Sequence, residues 1–117
     1  MPRQAHTPVS LPGPWATAGE ALTMTAADVA NKEQVAASGK EIVIAHNSGA
    51  APHAVTITSK AHAPSGRTGD ITTEAIAAGE IRVYGGPFPT NGWRQTDGQL
   101  YFEADSAEVK FGVIRLP

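Results

Sequence analysis

Short runs of β-branched and aromatic residues, each closed by glycine, proline or asparagine, recur along most of this chain and restrict its fold more than any other feature. Within them, apolar side chains alternate with polar ones, as along a strand with one buried face. Short strands at such spacing are typical of a sandwich or barrel. We therefore predict an all-β fold, a small antiparallel β-sandwich of the jelly-roll or immunoglobulin-like kind. The predicted strands are residues 40–46, 54–59, 70–78, 80–84, 99–104 and 108–116.

The N-terminal segment has a different pattern. Prolines at positions 2, 8, 12 and 14 each remove a backbone donor and hold φ near one value, which favours extended geometry before them. Val9, Leu11 and Trp15 add spaced apolar side chains. We predict an extended arm over residues 1–18 and a sandwich domain over residues 19–117. The arm is either a disordered tail or a strap that docks on a neighbour. We predict that deleting residues 1–15 leaves the domain folded but weakens assembly.

Two further segments permit alternatives. Leu22 and Met24 alternate with threonines, which allows a strand, whereas the alanine-rich residues 26–37 allow either a short helix or irregular coil. In the last strand, Ile114 and Leu116 fall on the face that begins with Lys110. Either a bulge flips the register there, or the arm or a partner covers these residues, and we favour cover.

Charge and cysteine content exclude several functions. The formal net charge of the 117 residues is −2, the sequence pI is about 6.0 and basic residues are scattered, which argues against binding to nucleic acid. The absence of cysteine removes disulfides, thiolate metal sites and cysteine nucleophiles. We find no apolar run that would span a bilayer and no signal-peptide pattern. We expect synthesis in a cytoplasm and no membrane partner.

The polar residues do not assemble a recognisable catalytic pattern. His46 and His53 flank a turn and could approach each other, with His62 or Asp70 as a third metal ligand, but their spacing is not compact and hydrogen bonding near loops explains them better. No serine lies in G-x-S-x-G, and no phosphate-binding loop occurs. We therefore expect no enzyme activity, no cofactor, no bound metal and no small-molecule substrate. A small metal-dependent enzyme that uses the two histidines is the alternative.

Three stretches carry a resemblance. They are an A-G turn that leads through a strand into G-P-F-P at residues 78–89, a D-G turn and strand at 97–102, and a closing apolar strand at 109–116. This pattern resembles small virion proteins of tailed bacteriophages, and the runs at 39–47 and 54–59 also fit. The resemblance covers residues 39–116, and it departs at Trp93 and Arg94, where a tyrosine or phenylalanine is commoner.

The resemblance implies a capsid decoration, or cement, protein on the outer surface of a phage head. Its partners would be the major capsid protein and copies of itself, with a trimer favoured. A charged fraction of 17%, low against about 25% in typical domains, fits a partly covered surface. Alternatives are a head–tail connector, tail or fibre-base component, and a carbohydrate-binding or adhesion module that uses Trp93. The residues expected to contact partners are Arg3, Val9, Leu11, Trp15, Phe88, Trp93, Arg94, Ile114 and Leu116.

Overall fold

A computed structural model describes residues 3–13, 15, 17–61, 65–66 and 69–117. The described part contains ten strands and no helix, and the strands form two sheets that pack together. The prediction of a small all-β sandwich is confirmed. The strands are β1 (Gln4–His6), β2 (Val9–Ser10), β3 (Thr25–Ala26), β4 (Glu33–Ala36), β5 (Glu41–Asn47), β6 (His53–Thr58), β7 (Ile71–Ile76), β8 (Ile81–Phe88), β9 (Gln99–Ala104) and β10 (Val109–Arg115).

The two sheets are mixed. The first has the order β1-β4-β9-β6-β7, and the second has the order β2-β10-β5-β8, with β3 also paired to β10. All pairs are antiparallel except two, in which β1 runs parallel to β4 and β2 runs parallel to β10. The antiparallel pairing predicted from the sequence therefore holds for every strand pair except the two that β1 and β2 form.

The core lies between the sheets and follows the alternation of side chains along the strands. Phe102 of β9 and Phe111 of β10 meet edge to face, with ring centroids 4.9 Å apart. At one end of the sandwich, the buried Phe88 lies 4.7 Å from the half-buried Trp93. Close packing of these large rings accounts for much of the apolar area that drives folding.

The first part of the predicted arm, which contains β1 and β2, lies along the edges of both sheets. The Gln4 N–H donates to the Lys32 carbonyl at 2.8 Å, and the Leu11 N–H donates to the Arg115 carbonyl at 3.0 Å. Prolines suit such edge positions because an edge strand needs fewer donors. Residues 3–11 thus pack on the sandwich of their own chain.

Residues 26–37 form neither a helix nor simple coil, but a turn followed by β4. The Asp28 carboxylate accepts from the Asn31 N–H at 3.1 Å, and Lys32 has a φ of 68°, which reverses the chain into the strand. The helical propensity of the alanine-rich sequence does not determine the structure here. Val35 is completely buried against the core, and tertiary packing outweighs the local preference.

The last strand keeps one register along β5. The pairs run without a shift from Val109–Asn47 to Arg115–Glu41, so the interpretation of a bulge in β10 is wrong. Its apolar end is bordered by the arm, because Ile114 pairs with Val9. The Leu116 N–H donates to the Lys40 carbonyl at 2.9 Å.

Candidate protein-binding site

The histidines considered as metal ligands lie in separate environments. His46 is on the outward side of β5, in register with Ile81 and Lys110, whereas His53 lies 3.3 Å from both the Asp105 and Glu108 carboxylates. Asp70 instead accepts hydrogen bonds from the N–H and hydroxyl of Ser59, which lower the pKa of its carboxyl. His62 lies outside the described residues. Within the described ranges, no group of three or more acidic or histidine side chains is arranged to hold a metal ion.

Several of the predicted contact residues are used inside the chain. The Arg3 guanidinium lies 4.0 Å from the centre of the Tyr101 ring and donates to the Glu33 carbonyl at 3.0 Å. Val9 and Leu11 are half-buried beside β10. Of the arm residues that were expected to contact partners, only Trp15 is free of such packing, with 94% of its surface exposed.

The contact residues predicted between positions 88 and 116 also include both buried and exposed side chains. Phe88 is buried and Trp93 packs against it, so the indole is partly buried and is not a fully exposed platform for sugar stacking. Arg94 is exposed beside an open cleft of about 690 Å³ that Lys60, Thr90 and Gln95 also line. Ile114 and Leu116 are half-buried.

A buried pair that the sequence did not reveal anchors the arm. The Glu33 side chain is completely buried, and its Oε1 atom accepts from the Gln4 side chain at 2.7 Å and from the Asp28 N–H at 2.8 Å. The His6 ring lies above Phe102 and beside Phe111, with its Nε2 atom 3.5 Å from Glu33 Oε1. The only sequence signal was the alternation of Gln4 and His6 between prolines.

Two other polar groups are enclosed by the sheets. Burial raises the pKa of Glu41, but hydrogen bonds from Ser38 and Arg115 outweigh it, so that the pKa is lowered overall. These bonds hold the carboxylate at the start of β5, with 1% of the residue exposed. The Tyr84 hydroxyl is buried without a hydrogen-bond partner among the described residues. Burial, together with the charge of Glu74, raises the pKa of Tyr84 to about 12. The buried Glu41 carboxylate is thus explained by its hydrogen bonds to Ser38 and Arg115.

The outward side of the second sheet is the most unusual surface of the molecule, and we call it the outer face. It is defined by outward side chains of three adjacent strands. Ile81 and Val83 are 60% and 62% exposed, although β-branched apolar residues are usually buried. Val83 pairs with Ile44, which pairs in turn with Gly112. The outer face comprises Ile42, Ile44, His46, Ile81, Val83, Lys110, Gly112 and Ile114.

One end of the outer face is partly covered by the segment that precedes β3. A Cβ atom placed on Gly112 would come within 2.6 Å of Met24 Sδ and 3.1 Å of Leu22 Cδ1. Gly112 therefore lets Leu22 and Met24 lie close on the sheet, whereas the part of the outer face on β8 stays open.

The outer face carries little charge. Arg82 of β8 points away from it, because its guanidinium pairs with Glu74 and Glu80. Lys110 is exposed on the outer face and makes no ion pair with another described residue. The outer face is thus mainly apolar and carries one cation that has no ion-pair partner in the described part of the chain, and such a surface suits contact with another protein.

No helix in the described part of the chain is long and apolar enough to cross a membrane. The chain matches no protein-family model, no curated protein and no solved structure.

Proposed function

We propose that this chain is a non-enzymatic structural protein that assembles with other protein subunits. The specific form we propose is the one implied by the sequence resemblance, a decoration protein on the outer surface of a phage capsid, made in the host cytoplasm. The observation that supports the proposal is the outer face, where isoleucine and valine side chains remain exposed in the isolated domain.

The energetics favour a repeated, individually weak contact. Ile81 and Val83 are each more than half exposed, and covering each would contribute roughly 1–2 kcal/mol. A patch of this kind measures on the order of a few hundred Å², less than the roughly 800 Å² per partner of a standard stable interface. Contacts of that size gain strength when many copies bind one lattice, because the second and later contacts become effectively intramolecular.

The proposal is tested on purified particles of the phage that encodes the chain. We expect cryo-electron microscopy to show density for the sandwich at regular positions on the shell, with the outer face covered. Mass spectrometry is expected to give hundreds of copies per particle. A dozen copies or fewer at the neck or tail would favour the connector or fibre-base alternative. Absence of the chain from the particle would contradict both the decoration proposal and this alternative.

A pair of variants links the particle result to the outer face. Val83→Lys places a charge on the outer face, and Thr72→Lys places the same charge on an exposed position of β7 in the first sheet. We expect Val83→Lys to reduce incorporation into particles at least tenfold and Thr72→Lys to leave it unchanged. Equal incorporation of the two variants would contradict the assignment of the outer face.

The carbohydrate-binding alternative gains no support from the site. Its proposed platform, Trp93, packs on Phe88 with ring centroids 4.7 Å apart. A glycan array with the wild-type chain, and with Trp93→Ala as the control, tests it directly. Binding that is lost in Trp93→Ala would favour that function over assembly.

A further inference from the structure

Trp15 is the largest apolar side chain that the described fold leaves uncovered. It is 94% exposed, and residues 17–23, which follow it, are exposed and belong to no strand. An indole in water forgoes a large part of the free energy that its burial would contribute. A side chain of this kind is enriched among the residues that dominate protein interfaces.

The outer face provides a surface of matching character. Its open part is formed by Ile81 and Val83 of β8 and by the half-buried Ile44 next to them. These side chains are β-branched and lie on the same side of two adjacent strands, so an indole can rest across them without displacing a charge.

Charge adds a second match. Glu20, five residues after Trp15, is exposed and makes no ion pair with another described residue. Lys110, on the outer face, is likewise without an ion pair. The segment thus supplies an apolar anchor and an anion, and the outer face supplies an apolar floor and a cation. Such complementarity mainly sets orientation and partner choice.

The chain's own outer face is not where Trp15 lies. Leu22 and Met24, later in the same segment, already cover Gly112, and yet Trp15 remains almost completely exposed. We propose that Trp15 and residues 17–20 of one copy dock on the outer face of a second copy. This inference rests on the proposed function, because it names the partner that covers the outer face.

The contact is heterologous, since one copy contributes the segment and the other contributes the outer face. Heterologous contacts close into rings when the rotation between copies permits, and otherwise extend into filaments. A closed ring of three would give the trimer that the resemblance implies.

The test uses variants that each remove one half of the contact. Trp15→Ala removes the indole that would dock, and Val83→Lys places a charge on the apolar outer face. We expect the wild type to self-associate in sedimentation velocity and each variant alone to lose association at least tenfold. A 1:1 mixture of the two variants is expected to regain a heterodimer, because each supplies the half that the other lacks. Thr72→Lys, which places a charge on β7 of the first sheet outside the proposed contact, is the matched control and is expected to associate like the wild type.

Tryptophan fluorescence reports whether the Trp15 indole becomes buried on association. The chain has two tryptophans, so Trp93→Phe leaves Trp15 as the only indole, and circular dichroism checks that this variant is folded. We expect the emission of Trp15 to shift to shorter wavelength as concentration rises, in step with the sedimentation coefficient.

Four outcomes would overturn the inference. One is a short-wavelength emission that persists on dilution to monomer, which would place Trp15 on its own chain. A second is self-association of Trp15→Ala at wild-type strength. A third is a variant mixture that remains monomeric, and the fourth is a wild type that remains monomeric at all concentrations. All measurements use purified protein. Presence or absence of the chain in phage particles is a separate result, so failure of the proposed function and failure of this contact are distinguishable.

Discussion

Replacing His6, six residues from the start of the chain, is expected to lower the free energy of unfolding as much as replacing a core residue. Only 5% of its side chain is exposed. The ring centroid lies 5.2 Å from that of Phe102 and 6.2 Å from that of Phe111. His6→Ala would therefore leave a void between two aromatic rings and would also remove the imidazole that lies against the buried Glu33 carboxylate.

The magnitude follows from the size of that void. Truncating a large buried side chain to alanine costs about 2–5 kcal/mol. The imidazole is smaller than a phenyl ring and the β1 edge can relax, so we expect about 2–4 kcal/mol. Against a total stability of roughly 5–15 kcal/mol, the variant still folds at 25 °C. With about 4 °C per kcal/mol for a domain of this size, Tm falls by about 8–16 °C.

The assay is urea unfolding followed by far-ultraviolet circular dichroism and by tryptophan fluorescence. His46→Ala is the matched control, because His46 lies on the outward side of β5, and we expect it to change stability by no more than about 0.5 kcal/mol. The midpoint should fall in His6→Ala at unchanged m-value. Equal midpoints for the two variants would show that the His6 side chain does not pack against Phe102 and Phe111 as described.

Three further predictions concern Gly85, Glu41 and the arm. Gly85→Ala should cost about 1–3 kcal/mol more in thermal unfolding than Gly79→Ala, because both glycines have positive φ but only at Gly85 would a Cβ meet Phe88, at 2.7 Å; equal losses would contradict this contact. Because the pKa of Glu41 is lowered from its ordinary value of 4.5, its stabilising contribution is complete above that pH and is lost as the pH falls below it. Glu41→Gln should therefore flatten the acid limb of a pH–stability curve, and an unchanged limb would refute the assignment. Deleting residues 1–15 should destabilise the domain at least as much as His6→Ala, because the deletion also removes β1 and β2. The proline pattern had instead suggested an arm separate from the sandwich. An unchanged urea midpoint after the deletion would support that separate arm.

Strands with strong alternation were predictable almost to the residue. The run predicted at 99–104 coincides with β9, and the run at 40–46 differs from β5 by one residue at each end. The period of two in the run at 99–104, the β-branched composition of the run at 40–46 and the flanking turns of both favour strands. Here local pattern and tertiary packing agree, and the sequence alone is sufficient.

β4 could not be predicted because one of its buried residues is of a type that is rarely buried in proteins. Glu33 carries a charge, and a local pattern places such a residue on a solvent face. It is buried only because the arm brings a hydrogen-bond donor, Gln4, and the His6 ring against it. A contact between residues almost thirty positions apart determined the element, and no window of local sequence contains that information.

The outer face did have a sequence signal. Ile42, Val43, Ile44 and Ala45 form a continuous apolar run, and such a run is typical of a strand that is covered on both faces. The structure covers one face of β5 with the first sheet and leaves Ile42 and Ile44 half-buried on the other. The same pattern that predicted the strand therefore also indicated a second surface that needs cover.

The described residues of the arm differ in what they contact. Up to Leu11, whose N–H donates to Arg115, the chain follows the edge of β10, and the apolar residues Val9 and Leu11 pack on that edge. Leu11 and Trp15 look alike in sequence, since both are spaced apolar residues of a proline-rich arm. In the structure, however, Leu11 is half-buried and Trp15 is 94% exposed. The sequence alone could not separate the two, because the difference depends on which arm residues reach the edge of a sheet.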